Sequence, residues 1–294
     1  KIKGNEATEA GNGDIRGGGG IFAYRSTVNM YGGEISYNLA IGGAGLNCNG
    51  GTVNISGGLF KWNCACLNNH YESGWNCGGG IRTTSATINV TGGRFTQNRA
   101  WVSGAAIYVF SNSQLTLENT EVDNNYGCAY GVLYVEAAGA WVKSGSFHDN
   151  VASDGAAIIC TPTTAGTPQG GTLPDNYTTI IGYVDEGTGE CKGPEIYNNK
   201  ALYNLFPHTY SGNLYGGAGG AIKVDAVNLE IRGGYVHDNQ AERAGGAAYV
   251  GGGDSKVTGG TLKDNKVIGT TLISDEYYKN QNGDGGGIYV TRQA

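Results

Sequence analysis

Three aspartates stand at one repeated position of the sequence and could act together. Asp149, Asp238 and Asp264 each lie directly before an asparagine, and each of those asparagines follows an apolar residue by three positions. If the position recurs once per structural repeat, Asp238 and Asp264 come within about 5 Å of each other, because neighbouring β-strands are that far apart. Two carboxylates at this distance suit a shared Ca²⁺ ion or a retaining glycosidase, and His148 and His237 adjoin them. The acidic row is therefore a candidate catalytic site.

The acidic row can also be interpreted as non-catalytic, as a polar edge of the protein that is exposed to solvent. Lys61 and Lys263 occupy neighbouring exposed positions, and charged side chains are typical of the outside of a repeat protein. No catalytic motif accompanies the three aspartates in the sequence. The polar edge is therefore the favoured interpretation, and catalysis by Asp149, Asp238 and Asp264 is the alternative.

Aromatic and polar residues concentrate in long segments that interrupt the repeats. Three segments, 64–77, 200–218 and 266–284, follow repeated asparagines and should emerge on one side of the molecule, because insertions of a repeat protein are displayed outside its stack. A fourth segment, 161–188, lies at a different corner. Flat aromatic rings beside amides and carboxylates suit sugar faces or the hot spots of a partner protein. The candidate ligand-binding residues are His70, Tyr71, Trp75, Tyr203, Phe206, Tyr210, Tyr215, Tyr277 and Tyr278. The alternative is that these rings pack down onto the flank of the repeats.

Seven cysteines indicate an oxidising compartment, although the odd number leaves at least one of them unpaired. Cys64 and Cys77 lie at the two ends of the first insertion, so a disulfide is expected to join these ends. Cys48, Cys160 and Cys191 fall where their side chains should point into the core. Cys64 and Cys66 are too close in sequence for a zinc site, and no metal site is expected. No cofactor is expected either, with Ca²⁺ on the acidic row as the one ion that would fit.

Two short patterns recur along the chain and define the elements that carry these residues. The first is a glycine pair followed by an aliphatic residue, as at Gly219-Gly220-Ala221-Ile222. The second is an apolar residue followed three positions later by asparagine, as at Phe60 and Asn63. The closest copies are 25 or 26 residues apart, as from Asn38 to Asn63 and from Asn239 to Asn265. Alternation of apolar and polar residues within each copy excludes a helical repeat.

This repeat predicts an all-β fold, a right-handed single-stranded parallel β-helix of about nine coils. Each coil should contain three short strands, with glycines at the corners and insertions at some of them. Stacked coils would place the repeated asparagines above one another, where each side chain can bond the backbone of its neighbours. The expected structural ladder consists of Asn38, Asn63, Asn98, Asn125, Asn150, Asn199, Asn239 and Asn265.

The two tetrapeptides resemble the repeats of the polymorphic outer-membrane proteins of chlamydiae and of similar microbial surface adhesins. Those repeats are GGA followed by Ile, Leu or Val, and FxxN, and the literal forms here are Gly219 to Ile222, Phe60 to Asn63, Phe95 to Asn98 and Phe147 to Asn150. The resemblance covers nearly the whole chain and implies the β-helix and a surface or adhesive function. Pectate lyases and polygalacturonase-like hydrolases resemble the architecture too, which is what keeps polysaccharide lyase or glycoside hydrolase activity as the alternative.

Composition excludes several classes of protein. The net charge is −6 and the sequence contains no basic run, so it offers no cluster of lysine and arginine residues that would bind the phosphates of a nucleic acid. No apolar stretch approaches the ~20 residues that span a bilayer, so no membrane insertion is expected in this segment. Residues 1–294 should form a single domain, a segment of a longer extracellular chain.

The function expected from the sequence is a non-catalytic module, structural or adhesive, that is extracellular or at the cell surface. Its expected partners are further copies of itself stacked end to end, or neighbouring domains of a longer chain. Glycan, or a protein of a host or cell surface, is the ligand that the aromatic insertions would suit.

Overall fold

The computed structural model describes residues 1–8, 17–67, 76–162, 177–203, 205, 216–269 and 283–291. Across these ranges the chain consists of short β-strands and connecting turns, with no α-helix. No helix of the described part is therefore long and apolar enough to cross a membrane. All strand pairs but one are parallel, and each strand pairs with the corresponding strand about one repeat away. The result is a solenoid-like stack of three parallel sheets.

The first sheet, which we call the ladder sheet, is formed by the strands that end just before the repeated asparagines. Their apolar residues are in register from strand to strand, so that Phe60 pairs with Phe95, which pairs with Val122. The nine strands, in spatial order, are Ile2–Lys3, Glu34–Ser36, Leu59–Lys61, Gly93–Thr96, Thr120–Asp123, Gly145–His148, Glu195–Tyr197, Tyr235–His237 and Thr261–Lys263.

The second sheet, the short sheet, begins one residue after each repeated asparagine. Most of its strands have only two residues, and the inward residue is usually alanine, as at Ala40, Ala65 and Ala100, which are fully buried. The strands are Glu6–Ala7, Leu39–Ala40, Cys64–Ala65, Arg99–Ala100, Tyr126–Tyr130, Val151–Asp154, Lys200–Ala201, Gln240–Ala241 and Lys266–Val267.

The third sheet, the broad sheet, combines the strands that follow the glycine pairs with the apolar strands after them. In the first three repeats these form single ten-residue strands, Ile21–Met30, Leu46–Ile55 and Ile81–Val90. Beyond them the sheet divides in two. One branch contains Ile107–Phe110, Leu133–Glu136, Ile158–Thr161, Ile222–Asp225, Ala248–Gly251 and Ile288–Thr291, and the other Gln114–Leu117, Gly139–Val142, Thr179–Ile181, Leu229–Ile231 and Lys256–Val257.

The expected composition of a coil therefore needs correction. Two strands follow the glycine pair in most repeats, such as Ile107–Phe110 and Gln114–Leu117, and both belong to the broad sheet. The short strands that follow the asparagines supply the third side. Such short strands are stabilised by their neighbours in the stack and carry no sequence period of their own.

Large apolar side chains of the ladder and broad sheets meet in the interior and form one continuous core. Phe60, Phe95 and Phe147 are fully buried, and the rings of Phe60 and Phe95 stack with centroids 4.6 Å apart.

Glycine is required where the backbones of neighbouring strands nearly touch. At Gly79 a Cβ atom would lie 2.3 Å from the carbonyl oxygen of Arg99, which no side chain tolerates.

The corner between the ladder and short sheets has the same conformation in nearly every repeat. One residue with φ near +55° is followed by the repeated asparagine, whose side chain turns inward. The residues with positive φ are Tyr37, Trp62, Gln97, Asn124, Asp149, Asn198, Asp238 and Asp264, with Gly4 at the equivalent place in the first strand pair.

The bounds of the insertions also differ from those expected. Segments 64–77, 200–218 and 266–284 each begin with a strand of the short sheet, so the insertions leave the stack one strand later, between the short and broad sheets. Segment 161–188 includes Thr179–Ile181, a strand of the broad sheet. The sequence of that strand, Thr-Ile-Ile, is too short to be recognised beside a long insertion.

A β-hairpin occupies the corner that follows Thr179–Ile181. Tyr183–Val184 and Cys191–Lys192 are its strands, and they form the one antiparallel pair of strands among the described residues. The hairpin takes the place of the Gly-Gly corner that joins the broad and ladder sheets in most other repeats, and it leads directly into Glu195–Tyr197.

Candidate functional site

The repeated asparagines form one hydrogen-bonded column at the corner of the stack. The side-chain oxygen of each accepts from the backbone N–H and the amide group of the asparagine in the preceding repeat, as Asn98 does from Asn63 at 3.1 and 3.0 Å. The amide nitrogen of Asn98 in turn donates to Asn125 at 3.1 Å and back to the carbonyl oxygen of Phe60 at 3.0 Å. The column runs from Asn5 to Asn265 and is fully buried over most of its length. It is a structural element that leaves no amide for a ligand in the middle of the stack.

The three aspartates of the acidic row occupy the corner position with positive φ. Asp149, Asp238 and Asp264 have φ values of 55°, 53° and 54°. Aspartate and asparagine adopt this left-handed conformation more readily than most residues, so the backbone alone gives a reason for their presence. Each carboxylate also contacts the preceding side chain, namely His148, His237 or Lys263.

The outer face of the ladder sheet carries a continuous stack of rings beside these aspartates, which we call the histidine row: His148, Tyr197, His237 and Tyr235. His148, Tyr197 and His237 pair in register on adjacent strands. Their ring centroids are 4.8 and 5.3 Å apart, with interplanar angles of 11° and 7°. Tyr235 lies against His237 at 4.0 Å.

Carboxylates bracket both imidazoles of the histidine row. Nδ1 of His237 lies 2.8 Å from Asp238 and Nε2 lies 3.1 Å from Glu195. Asp149 and Glu121 stand in the same relation to His148, at 2.8 and 3.4 Å. The imidazole side chains are only 14% and 15% exposed, so the packing and the carboxylates hold them in place.

Tyr197, in the centre of the histidine row, remains a neutral phenol. Burial raises its pKa, and the nearby carboxylates of Glu195, Asp149 and Glu121 raise it further, because each disfavours a phenolate. The hydroxyl group is therefore able to donate as well as accept a hydrogen bond over the ordinary range of pH.

On the two ladder-sheet strands before that of His148, Arg94 and Asp123 form an ion pair. Arg94 binds Asp123 through both ends of its guanidinium group, with Nε to Oδ1 at 2.7 Å and Nη2 to Oδ2 at 2.8 Å. Although burial opposes ionisation of Asp123, hydrogen bonds from Arg94, Asn124 and Thr96 lower its pKa below the ordinary value. Asp123 is thus a structural anion and is not available to a ligand.

A cleft of about 520 Å³ opens beside the histidine row, between the hairpin and the ladder sheet. Its lining includes Ser144, Tyr183, Cys191, Lys192, Glu195 and Tyr235. Glu195 and Tyr235 therefore belong to both features, because each lines the cleft and contacts His237. The cleft and the histidine row together are the candidate functional site.

Most of the expected aromatic ligand residues lie outside the described residues: His70, Tyr71, Trp75, Phe206, Tyr210, Tyr215, Tyr277 and Tyr278. Tyr203 is described, and its assignment as a ligand residue is wrong, because it is only 3% exposed. Its backbone N–H donates to Glu242 at 2.6 Å, and it pairs with Gly216 across the base of the insertion. Tyr203 therefore fastens the insertion to the stack.

The cysteines are arranged differently from the expectation. Cys64 forms a disulfide with Cys66, whose Cα atom lies 5.4 Å away, and this replaces the expected bridge between Cys64 and Cys77. Cys77 is buried, and it forms an isolated β-bridge with Ser103 of the next repeat. Cys191 is exposed, contrary to the expected inward position, because it belongs to the hairpin.

No group of three or more histidine, cysteine, aspartate or glutamate side chains is placed to hold a metal ion within the described ranges. The expected pair of Asp238 and Asp264 is engaged by His237 and Lys263 at 2.8 and 3.5 Å. The sequence does not predict the cleft or the roles of Tyr197 and Tyr235. Tyr197 could have been found by counting back two residues from each repeated asparagine, which also gives His148, His237 and Asp123.

Comparison with protein-family models, curated proteins and solved structures finds no match to this chain.

Proposed function

We propose that the chain is a right-handed parallel β-helix of nine coils that acts as a rigid, non-catalytic module outside the cell or at its surface. Parallel strands joined by crossover connections are right-handed in almost all proteins, which supports the handedness. Each strand of the ladder sheet would represent one coil. A buried column of fully bonded asparagines favours a module that holds its shape over a long axis.

The adhesive part of this proposal rests on one observation, the stacked and carboxylate-bracketed histidine row on the outside of a rigid sheet. Aromatic rings offer flat apolar faces, and the carboxylates and phenols around them offer hydrogen-bond acceptors and donors. Hydroxyl-rich ligands such as glycans present the matching combination of C–H faces and hydroxyl groups.

A glycan array probed with the purified chain tests the adhesive function. We expect binding to at least one glycan class, and we expect it to fall about tenfold or more when Tyr197 and His237 are both replaced by alanine, because both rings of the central stack are lost. The matched control is Tyr31→Ala, since Tyr31 is 81% exposed and is not part of the histidine row. Full binding by the Tyr197/His237 variant would exclude the histidine row as the attachment surface.

A carbohydrate-active enzyme, either a polysaccharide lyase or a glycoside hydrolase, is the second candidate. The arrangement of Glu195, His237 and Asp238 beside a cleft favours it, because an imidazole held between two carboxylates can transfer a proton. We would measure release of reducing ends and of unsaturated products from neutral and acidic polysaccharides. Cleavage that disappears in His237→Ala or Asp238→Asn would establish the enzyme and reject the non-catalytic module.

A further inference from the structure

The hairpin beside the histidine row is held by a network of hydrogen bonds. The carboxylate of Asp185 accepts from the backbone N–H groups of Gly187 and Thr188, at 2.9 and 3.1 Å, which closes the turn. Its second oxygen binds the ammonium group of Lys192 at 2.5 Å across the two strands. Most other repeats turn this corner with two glycines, so the hairpin is an addition to the fold that the stack itself does not require. One effect of the addition is to build a wall of the cleft.

The two sides of the cleft each carry an aromatic residue. Tyr183 belongs to the hairpin, and Tyr235 belongs to the ladder sheet. The position of Tyr235 is determined by its stack on His237, which is itself held by Glu195 and Asp238. The ring orientation is therefore set before any ligand arrives, which lowers the entropy cost of binding.

The polar groups of the cleft select the charge of its ligand. Among the described residues that line the cleft, Lys192 is the one cation, and it is neutralised by Asp185 at 2.5 Å and by Glu190 at 3.8 Å. Glu195 adds a half-exposed carboxylate on the opposite side. An anionic ligand would face these carboxylates without a free cation to bind, whereas a neutral hydroxyl-rich ligand could donate to Glu195 and bond the hydroxyl group of Ser144.

We propose that this cleft binds a neutral pyranose ring of a polysaccharide between Tyr183 and Tyr235, with Glu195 accepting from its hydroxyl groups. A volume of about 520 Å³ falls within the range of sites for small ligands, about 300–1,000 Å³. The proposal rests on the adhesive function and deepens it, because it names the ligand class and the place of contact. Uronic acids, which carry a carboxylate on each ring, are excluded by the charge of the lining.

Calorimetric titration of the full chain tests the ligand class and the site together. The probes are cellohexaose and mannohexaose as neutral ligands and hexagalacturonate as the anionic one. We expect at least one neutral hexaose to bind, hexagalacturonate not to bind, and Tyr183→Ala and Tyr235→Ala each to weaken the neutral ligand about tenfold. Tyr235→Phe should retain most of the affinity because it keeps the ring, and Tyr31→Ala, far more exposed and outside the lining, should change nothing.

Cys191 offers a second measurement that needs no substitution. It lines the cleft and is exposed, while the other four cysteines outside the disulfide are buried. A maleimide should therefore label Cys191 alone in the native chain. We expect the bound neutral hexaose to slow this labelling several-fold, and we expect a bulky maleimide already attached to Cys191 to abolish binding of the hexaose.

The results of these experiments distinguish failure of the cleft proposal from failure of the adhesive function. A hexaose that binds equally well to the wild type, the tyrosine variants and the maleimide-labelled chain would overturn the cleft and leave adhesion standing. Binding of hexagalacturonate alone would overturn the ligand class. A chain that attaches to arrayed glycans through Tyr197 and His237, yet binds neither neutral hexaose, would also overturn the cleft proposal, and a chain that binds no glycan at all would overturn both proposals.

Discussion

The side-chain oxygen of Asn125 accepts two hydrogen bonds from Asn98 in the preceding repeat, one from the backbone N–H at 2.9 Å and one from Nδ2 at 3.1 Å. The same pair of bonds recurs between Asn125 and Asn150, at 3.0 and 3.1 Å. A single oxygen thus satisfies both a backbone donor and a side-chain donor. An apolar side chain such as leucine offers neither a hydrogen-bond acceptor nor a donor, so it cannot replace an asparagine of the column without loss of these bonds.

Asn98→Leu should lower the free energy of unfolding by about 3 kcal/mol. The substitution leaves the N–H of Asn63 and the carbonyl oxygen of Phe60 without these buried partners, and each such group costs about 1–3 kcal/mol. Urea denaturation followed by circular dichroism measures the change. Asn29→Leu is the matched control, since Asn29 is an exposed asparagine whose side chain bonds Asn54 outside the core, and it should cost well under 1 kcal/mol. Equal losses in both variants would contradict the role of the column.

Asp123→Asn should cost about 1–3 kcal/mol near neutral pH, because it removes a buried carboxylate that binds both ends of Arg94. The pKa of Asp123 is lower in the folded chain than the unfolded value of about 3.9, so its stabilisation is complete above that value. The stabilisation is lost as pH falls through the folded-state pKa. The difference in stability between wild type and variant should therefore shrink on acidification below about pH 4, as measured by urea denaturation at several pH values.

The control for this pH dependence is Glu190→Gln. Glu190 is 67% exposed and lies 3.8 Å from Lys192, so its substitution should have little effect at any pH. A difference between wild type and Asp123→Asn that grows on acidification would contradict the assignment of Asp123 as the charged partner of Arg94.

Gln97 tests the backbone explanation of the corner position. Its φ of 56° is unfavourable for glutamine and still more so for valine, whereas asparagine tolerates it better. Gln97→Val should cost about 1–2 kcal/mol, and Gln97→Asn should be neutral or stabilising by up to about 1 kcal/mol. Thermal denaturation of the two variants measures the order. A valine variant as stable as the asparagine variant would leave the aspartates of the acidic row without a backbone reason.

Cysteine reactivity should follow the burial of each thiol. Burial raises the pKa of Cys77, Cys128 and Cys160 to about 12, so these thiols stay protonated at pH 8. Alkylation of the native chain at pH 8 should modify Cys191 alone, and alkylation after unfolding should modify five residues. Peptide mapping without reduction should find Cys64 joined to Cys66. A peptide that joins Cys64 to Cys77 would refute this arrangement.

The parts of the fold that the sequence predicts are those with a repeated spacing. The asparagine column could be predicted because an apolar residue precedes each asparagine by three positions in repeat after repeat. The two-residue strands of the short sheet, such as Lys200–Ala201, could not, because two residues contain no period and owe their conformation to the strands on either side.

Part of the candidate site can also be predicted from the repeated spacing. His148 and His237 could be assigned to one face because they precede repeated asparagines by the same two residues. Tyr183 and Lys192 could not be assigned, because their hairpin replaces a Gly-Gly corner and interrupts the pattern. The turn chemistry of Asp185, Gly187 and Thr188 was a signal for the hairpin, but nothing local to it indicates that Tyr235 lies across the cleft.

The amides of the asparagine column all point the same way along the stack. Oδ1 of each faces the preceding repeat and Nδ2 donates toward the following one, from Asn5 to Asn265. The column is therefore polar, with an acceptor end and a donor end. If the same pair of bonds were repeated, a repeat that continued the column beyond Asn265 would present an oxygen, and a repeat that continued it before Asn5 would present a donor.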